Sequence, residues 1–198
     1  GTGGGTTQSS GLTRSGRNFI YNGKPVVLLG WDTQELASNP AIDYVAKLDG
    51  FKANGINKVR LWLYSYWNPN FIHPWVYVNG LFDLERFNDV YWTRLKGFLA
   101  AARARGLIVE LSLFSPNAID RHEDWNSTQF RLAFNTNYNL NGAFHANSSG
   151  HFNPEFHTLG GPEITRSGKT LQMIQQALVD KTLAETSSFD NVYYEVSN

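Results

Sequence analysis

Apolar residues alternate along the chain between two kinds of pattern: short continuous runs, and longer stretches in which they recur at helical spacing. Val26 to Leu29, Asn57 to Leu63, Leu107 to Leu113 and Asn191 to Asn198, the last ending on a polar residue, are the runs, near-continuous in apolar and β-favouring residues. That is the signature of strands buried on both faces, as in a parallel sheet. Between the runs, Tyr44, Val45, Leu48 and Phe51 predict a helix over 41–54 that Gly55 stops. Phe87, Tyr91, Leu95, Phe98, Leu99 and Ala102 predict a second over 83–105 with its stop at Gly106, and Leu171, Ile174, Leu178 and Leu183 a third over 169–187. Asn22-Gly23 between two apolar runs is a strong hairpin signal. Residues 1–16, rich in Gly, Thr and Ser, have little to bury and are expected to form a flexible lead outside the fold. Residues 64–81 read as a loop. Residues 114–168, rich in Asn, Gly and His, carry little periodicity and read as one long loop of the functional or disordered kind.

Four strand-then-helix units imply a parallel sheet with right-handed crossovers and helices outside. A doubly wound sheet would carry glycine-rich phosphate chemistry at the first strand-to-helix turn, and Gly30-Trp31-Asp32-Thr33 has no such motif. The expected fold is therefore α/β of the (β/α)8 TIM-barrel type. Residues 17–198 would supply about the first four β/α units plus the N-terminal β-hairpin. Sites in such barrels lie at the C-terminal strand ends, which here means Trp31 and Asp32, Tyr64 to Trp67, Phe114 and Ser115, and Asn198.

Composition narrows the ligand. Seventeen basic and seventeen acidic residues cancel and no Lys or Arg run stands out, so nucleic acid and anionic membranes are not the expected partners. No apolar run approaches the roughly 20 residues that span a bilayer. Absence of Cys excludes disulfides, thiolate metal sites and a Cys nucleophile. Six Trp, nine Tyr and thirteen Phe supply flat rings with polar handles, the surfaces that bind neutral sugars, although most such rings belong to cores. Trp31 reads equally as a sugar platform or a core lid. Of Tyr64, Tyr66, Trp67 and Trp75, one or two are expected at the ligand. His122, Asp124, His145, His151 and His157 lack metal-ligand spacing, and no metal or cofactor is expected. Asn126-Ser127-Thr128 and Asn147-Ser148-Ser149 match the glycosylation sequon by a pattern frequent by chance. Arg60, inside an apolar strand, demands a charged partner.

Four pieces, in this order and spacing, resemble the N-terminal half of a clan A glycoside hydrolase, the retaining barrels that include family five cellulases and mannanases. They are Phe19-Ile20-Tyr21-Asn22-Gly23-Lys24-Pro25, Val59-Arg60-Leu61-Trp62, Gly106-Leu107-Ile108-Val109-Glu110-Leu111 and Tyr193-Tyr194-Glu195-Val196-Ser197-Asn198. The resemblance implies that Arg60 contacts the catalytic nucleophile. It implies that Asn198 hydrogen-bonds a substrate hydroxyl, with the Glu acid/base next after it and the nucleophile on the seventh strand. Both carboxylates of retaining hydrolysis are thus expected beyond position 198, and the 198-residue chain alone is expected to be inactive. Glu195, with the parity of the missing Glu, is expected to face the barrel interior as a polar anchor for Arg60 or its strand, and Glu110 to be structural. Trp31, Asp32, Tyr64, Trp67 and Phe114 are the candidate substrate contacts. Phe114 stands where family five often has His, the one departure from the pattern. A carbohydrate substrate is implied, with an extracellular or periplasmic setting. The remaining half-barrel would come from the same or a second polypeptide, or from self-association. Two other readings stay open: a non-catalytic glycan-binding β/α module, and a barrel acting on phosphorylated substrates.

Overall fold

The structure is a computed structural model that describes residues 11–63, 68, 70–114, 129–130, 135–137 and 165–197. Strands β1 (Leu12–Ser15), β2 (Asn18–Tyr21) and β3 (Lys24–Val26) form an antiparallel sheet in that order. Asn22 and Gly23, which join β2 to β3, have φ of 50° and 76°, the left-handed pair that a two-residue hairpin turn requires. The strand β1 lies inside the stretch read as a flexible lead, and this boundary is corrected. All four of its residues pair with β2, and the Leu12 amide donates to the Asp190 carbonyl at 2.9 Å. Backbone bonds hold it rather than side-chain burial, which is why its polar composition hid it.

The main sheet contains β4 (Gly30–Asp32), β5 (Lys58–Trp62), β8 (Ile108–Phe114) and β9 (Val192–Ser197), all parallel, in the order β4-β5-β8-β9. Each new strand is added on the same side, the winding of a barrel, whereas a doubly wound sheet reverses. The chain builds part of a (β/α)8-type barrel, with four parallel strands and three helices between them among the described residues. Its helices are α1 (Tyr44–Ala53), α2 (Asp89–Ala104) and α3 (Leu171–Thr186), N-capped by Asp43, Asn88 and Thr170 through side-chain oxygens. Val59, Leu61, Leu63, Val109, Leu111 and Leu113 on one face of the sheet are buried with Leu48, Leu95, Phe98, Leu99 and Leu178 from the helices. These form the core.

Three further expectations are corrected. The first buried strand is not Val26 to Leu29. The hairpin ends at Val26 and the barrel strand starts at Gly30, leaving Val27 and Leu29 exposed at 87% and 59%. The Asn57 side chain takes up the linker's polar groups, accepting from the Leu29 amide at 2.7 Å and donating to the Val27 carbonyl at 2.8 Å. Second, the helix does not begin at Asp83. A hairpin of β6 (Trp75–Val78) and β7 (Leu81–Phe87) occupies the end of the stretch read as loop and the start of the stretch read as helix. Its turn, Asn79-Gly80, has φ of 53° and 84°. Phe82 and Leu84 are buried while Asp83 and Glu85 are less so, a period of two rather than 3.6. Third, parts of 114–168 are structural: Phe114 completes β8, and Phe130 is fully buried, edge-on to Trp75 at 5.4 Å. Asn137 accepts from the Leu84 amide at 2.7 Å and Asn135 bridges to Phe82, so these Asn residues extend the β7 ladder.

Candidate functional site

Strand registers sort the residues of the sheet into two faces. Asp32 pairs with Arg60, Arg60 with Glu110, and Glu110 with Tyr193, so these four side chains form one row on the face opposite the helices, the inner face of the barrel. Next toward the C-terminal ends comes a row of Trp62, Ser112 and Glu195. Lys58 lies one step below the first row.

Charges on this face are all engaged. Arg60 donates through Nε and Nη2 to Glu195 Oε2, at 3.0 and 2.6 Å, and through Nη1 to Asp32 Oδ2 at 3.3 Å. Burial by itself would favour loss of the Arg60 proton. The Glu195 hydrogen bond and charge, with the charges of Asp32 and Glu110, outweigh it and hold the guanidinium more firmly protonated than an ordinary arginine. The charged partner that Arg60 demands is thus found inside the chain, and Glu195 faces the interior as its anchor. Glu110 pairs with Lys58 and accepts from the Tyr193 hydroxyl. Burial first, and that carboxylate second, push the Tyr193 phenol upward, so it remains a hydrogen-bond donor. Among the described residues three carboxylates face two cations here, one negative charge in excess. Such a surface gives no advantage to an anionic ligand and suits a neutral one.

The expected site residues are only partly brought together. Arg60 and Asp32 are adjacent on the inner face, and Phe114, with inner-face parity, ends β8 opposite Ser197. Trp31 is not with them. It pairs with Val59, whose side chain is in the core, so it has helix-facing parity, and it lines a groove at the end of β4 with Asp32, Ile42, Lys47 and Phe51. Two consecutive strand residues cannot serve the same face, so of Trp31 and Asp32 only Asp32 belongs to the inner one. Tyr64, Tyr66, Trp67 and Asn198 lie outside the described residues, as do the scattered His residues of 122–157 and both sequons. Trp62, Ser112 and Tyr193 were not among the expected site residues. Their signal was available in the period-two parity they share with Arg60 and Glu195.

The β6–β7 hairpin packs with residues 129–130 and 135–137. His73 is 4% exposed and lies against the hairpin, edge-on to Phe82 at 4.9 Å. Its Nε2 lies 3.0 Å from the Asn68 carbonyl and its Nδ1 3.3 Å from Gln129 Nε2. Nε2 therefore carries the proton and Nδ1 accepts. Burial pulls the imidazole's proton affinity down, opposed more weakly by the Asn68 bond, so His73 is neutral.

No protein-family model matches this chain, and no curated protein matches it in sequence. Solved structures do match. The endo-1,4-beta-mannanase from Rhizomucor miehei aligns with 96% of this chain at a TM-score of 0.62 and 15% identity. A glycoside hydrolase family 5 protein from Bacteroides vulgatus aligns with 95% at 0.54 and 15%, and the beta-mannanase from blue mussel Mytilus edulis with 96% at 0.53 and 14%. The likeness is one of fold, and it is the (β/α)8 fold. The chain spans 48%, 32% and 45% of those three structures, half of each or less.

Proposed function

We propose that this chain is the sugar-binding N-terminal half of a retaining glycoside hydrolase barrel acting on a neutral, β-linked polysaccharide or oligosaccharide. The observation that carries this reading is the inner face: Arg60 clamped between Asp32 and Glu195 at the C-terminal ends of parallel strands. The fold shared with two mannanases and a family 5 glycoside hydrolase supports it. Retaining hydrolysis needs two carboxyl groups about 5 Å apart, one to exchange protons and one to attack. Asp32 and Glu195 are both bound to a single guanidinium and act as support, so neither is assigned as a reacting carboxylate. Arg60 would then orient a nucleophile from the rest of the barrel, and Asn198 a substrate hydroxyl. Phosphorylated substrates are disfavoured by the negative excess of the inner face.

The test is a calorimetric titration of the chain with β-1,4-mannotetraose, alongside an assay with aryl β-glycosides. Saturable binding without hydrolysis is the expected result. Hydrolysis would place the catalytic carboxylates within the chain, and absence of binding would remove the glycan reading altogether.

A further inference from the structure

The row above Arg60 has hydrogen-bonding capacity that the protein does not use. Trp62 is 5% exposed and Ser112 1%, and neither the Trp62 indole Nε1–H nor the Ser112 hydroxyl finds a hydrogen-bond partner among the described residues. The two residues are register partners on adjacent strands, and Ser112 is in turn the register partner of Glu195. Both Arg60 bonds to Glu195 go to Oε2, which leaves Oε1 to accept from something else. The Arg60 guanidinium lies 5.8 Å from the Trp62 ring centre, fixing the indole beside the charged clamp. A donor, a hydroxyl that both donates and accepts, and an acceptor thus lie side by side across three strands. A buried polar group left without a partner is destabilising, so a core with no other role would carry apolar residues at positions 62 and 112.

We propose that Trp62, Ser112 and Glu195 form a hydroxyl-binding row that takes neighbouring hydroxyls of a neutral sugar. Each sugar hydroxyl can donate and accept, so one hydroxyl can accept from Trp62 while donating to Ser112, and the next can accept from Ser112 while donating to Glu195. A phosphate or carboxylate could accept from Trp62 but would meet the Glu195 charge. Glu195 therefore has two duties, Oε2 holding Arg60 and Oε1 receiving the ligand. This inference rests on the glycan reading above and names the residues that would make the contact.

The six tryptophans give six indole N–H resonances in the 15N-labelled chain, and Trp62→Phe identifies the one from Trp62. On titration with β-1,4-mannotetraose, the Trp62 indole proton is expected to move downfield and saturate. Ser112→Ala is expected to weaken binding about fivefold, the order of one hydrogen bond. It should leave the melting temperature unchanged or higher, because it removes a buried hydroxyl that nothing described satisfies; a serine with a purely structural role would show the reverse on both counts. Should Trp62→Phe fail to fold, the Ser112→Ala pair of measurements decides alone. The row is overturned, with the glycan reading intact, if the tetraose binds with heat and shifts other indoles while the Trp62 resonance stays still. If no heat appears and no indole moves at millimolar tetraose, both the row and the glycan reading are overturned.

Discussion

At the scale of single residues, two groups have environments that make their behaviour testable. Arg60 is 13% exposed and pairs with two carboxylates at once. Removing it leaves Asp32 and Glu195 facing each other without a cation. Breaking a fully buried pair costs roughly 3–5 kcal/mol, and the 41% exposure of Asp32 moderates this. Arg60→Ala is expected to cost about 2–3 kcal/mol in urea unfolding, and Glu195→Gln less, since it removes one carboxylate and keeps an acceptor for the guanidinium. His73 is buried neutral with its affinity for protons lowered, so as pH falls the unfolded chain takes up the proton first. The stability that His73 supplies is complete above the ordinary histidine value of about 6.5 and is lost as pH falls below it toward the lowered folded value. Melting temperatures from pH 8 to 5 should fall more steeply for the native chain than for His73→Gln. Equal slopes would mean that His73 is already charged, or solvated, in the folded state.

At the scale of elements, two turns of the same chemistry fold two hairpins. Asn22-Gly23 and Asn79-Gly80 each place a pair of residues in the left-handed region, and the same dipeptide signal was legible at both. At the second, the apolar positions of β7 run into those of α2. A helical stripe can be drawn through Phe87 to Ala102, and it absorbed the strand. The difference is decided by the cap: Asn88 accepts from the Val90 amide at 3.1 Å and starts the helix there. A Cβ on Gly80 would meet nothing within 4 Å, so replacement acts through the backbone alone. Gly80→Ala at φ of 84° is expected to cost about 1 kcal/mol, lowering the melting temperature by roughly 2–4 °C. An unchanged value would show that the hairpin contributes nothing to global stability.

At the scale of the whole molecule, β4 pairs only with β5 and β9 only with β8, so the barrel sheet has two open edges among the described residues. Leu29 and Trp31 at one edge are 59% and 58% exposed, and Val196 at the other is 69% exposed. Unpaired edges of this kind recruit further strands. Self-association of the 198-residue chain, concentration-dependent in sedimentation velocity, is the expected behaviour, and Val196→Lys should shift it toward monomer. A native chain that sediments as one monomeric species at all concentrations would mean that the edges are closed in another way.

What the amino-acid sequence determined by itself is what local physics controls: the succession of parallel strands and helices, the glycine stops, the first hairpin, and the need of Arg60 for a charged partner. These follow from side-chain periodicity, backbone freedom at Asn-Gly pairs, and the cost of burying a charge, all of which act within a few residues. Strand parity pointed to Glu195 as an anchor for Arg60 or its strand, but the contact itself, across 135 positions, is made by the register of three strands, and tertiary structure alone added Asp32 as the second partner. It also turned Trp31 away from the inner face and packed Phe130 and two asparagines against β7. Which way a strand residue points, and whether an Asn-rich segment finds backbone to bond, depend on partners distant in the chain.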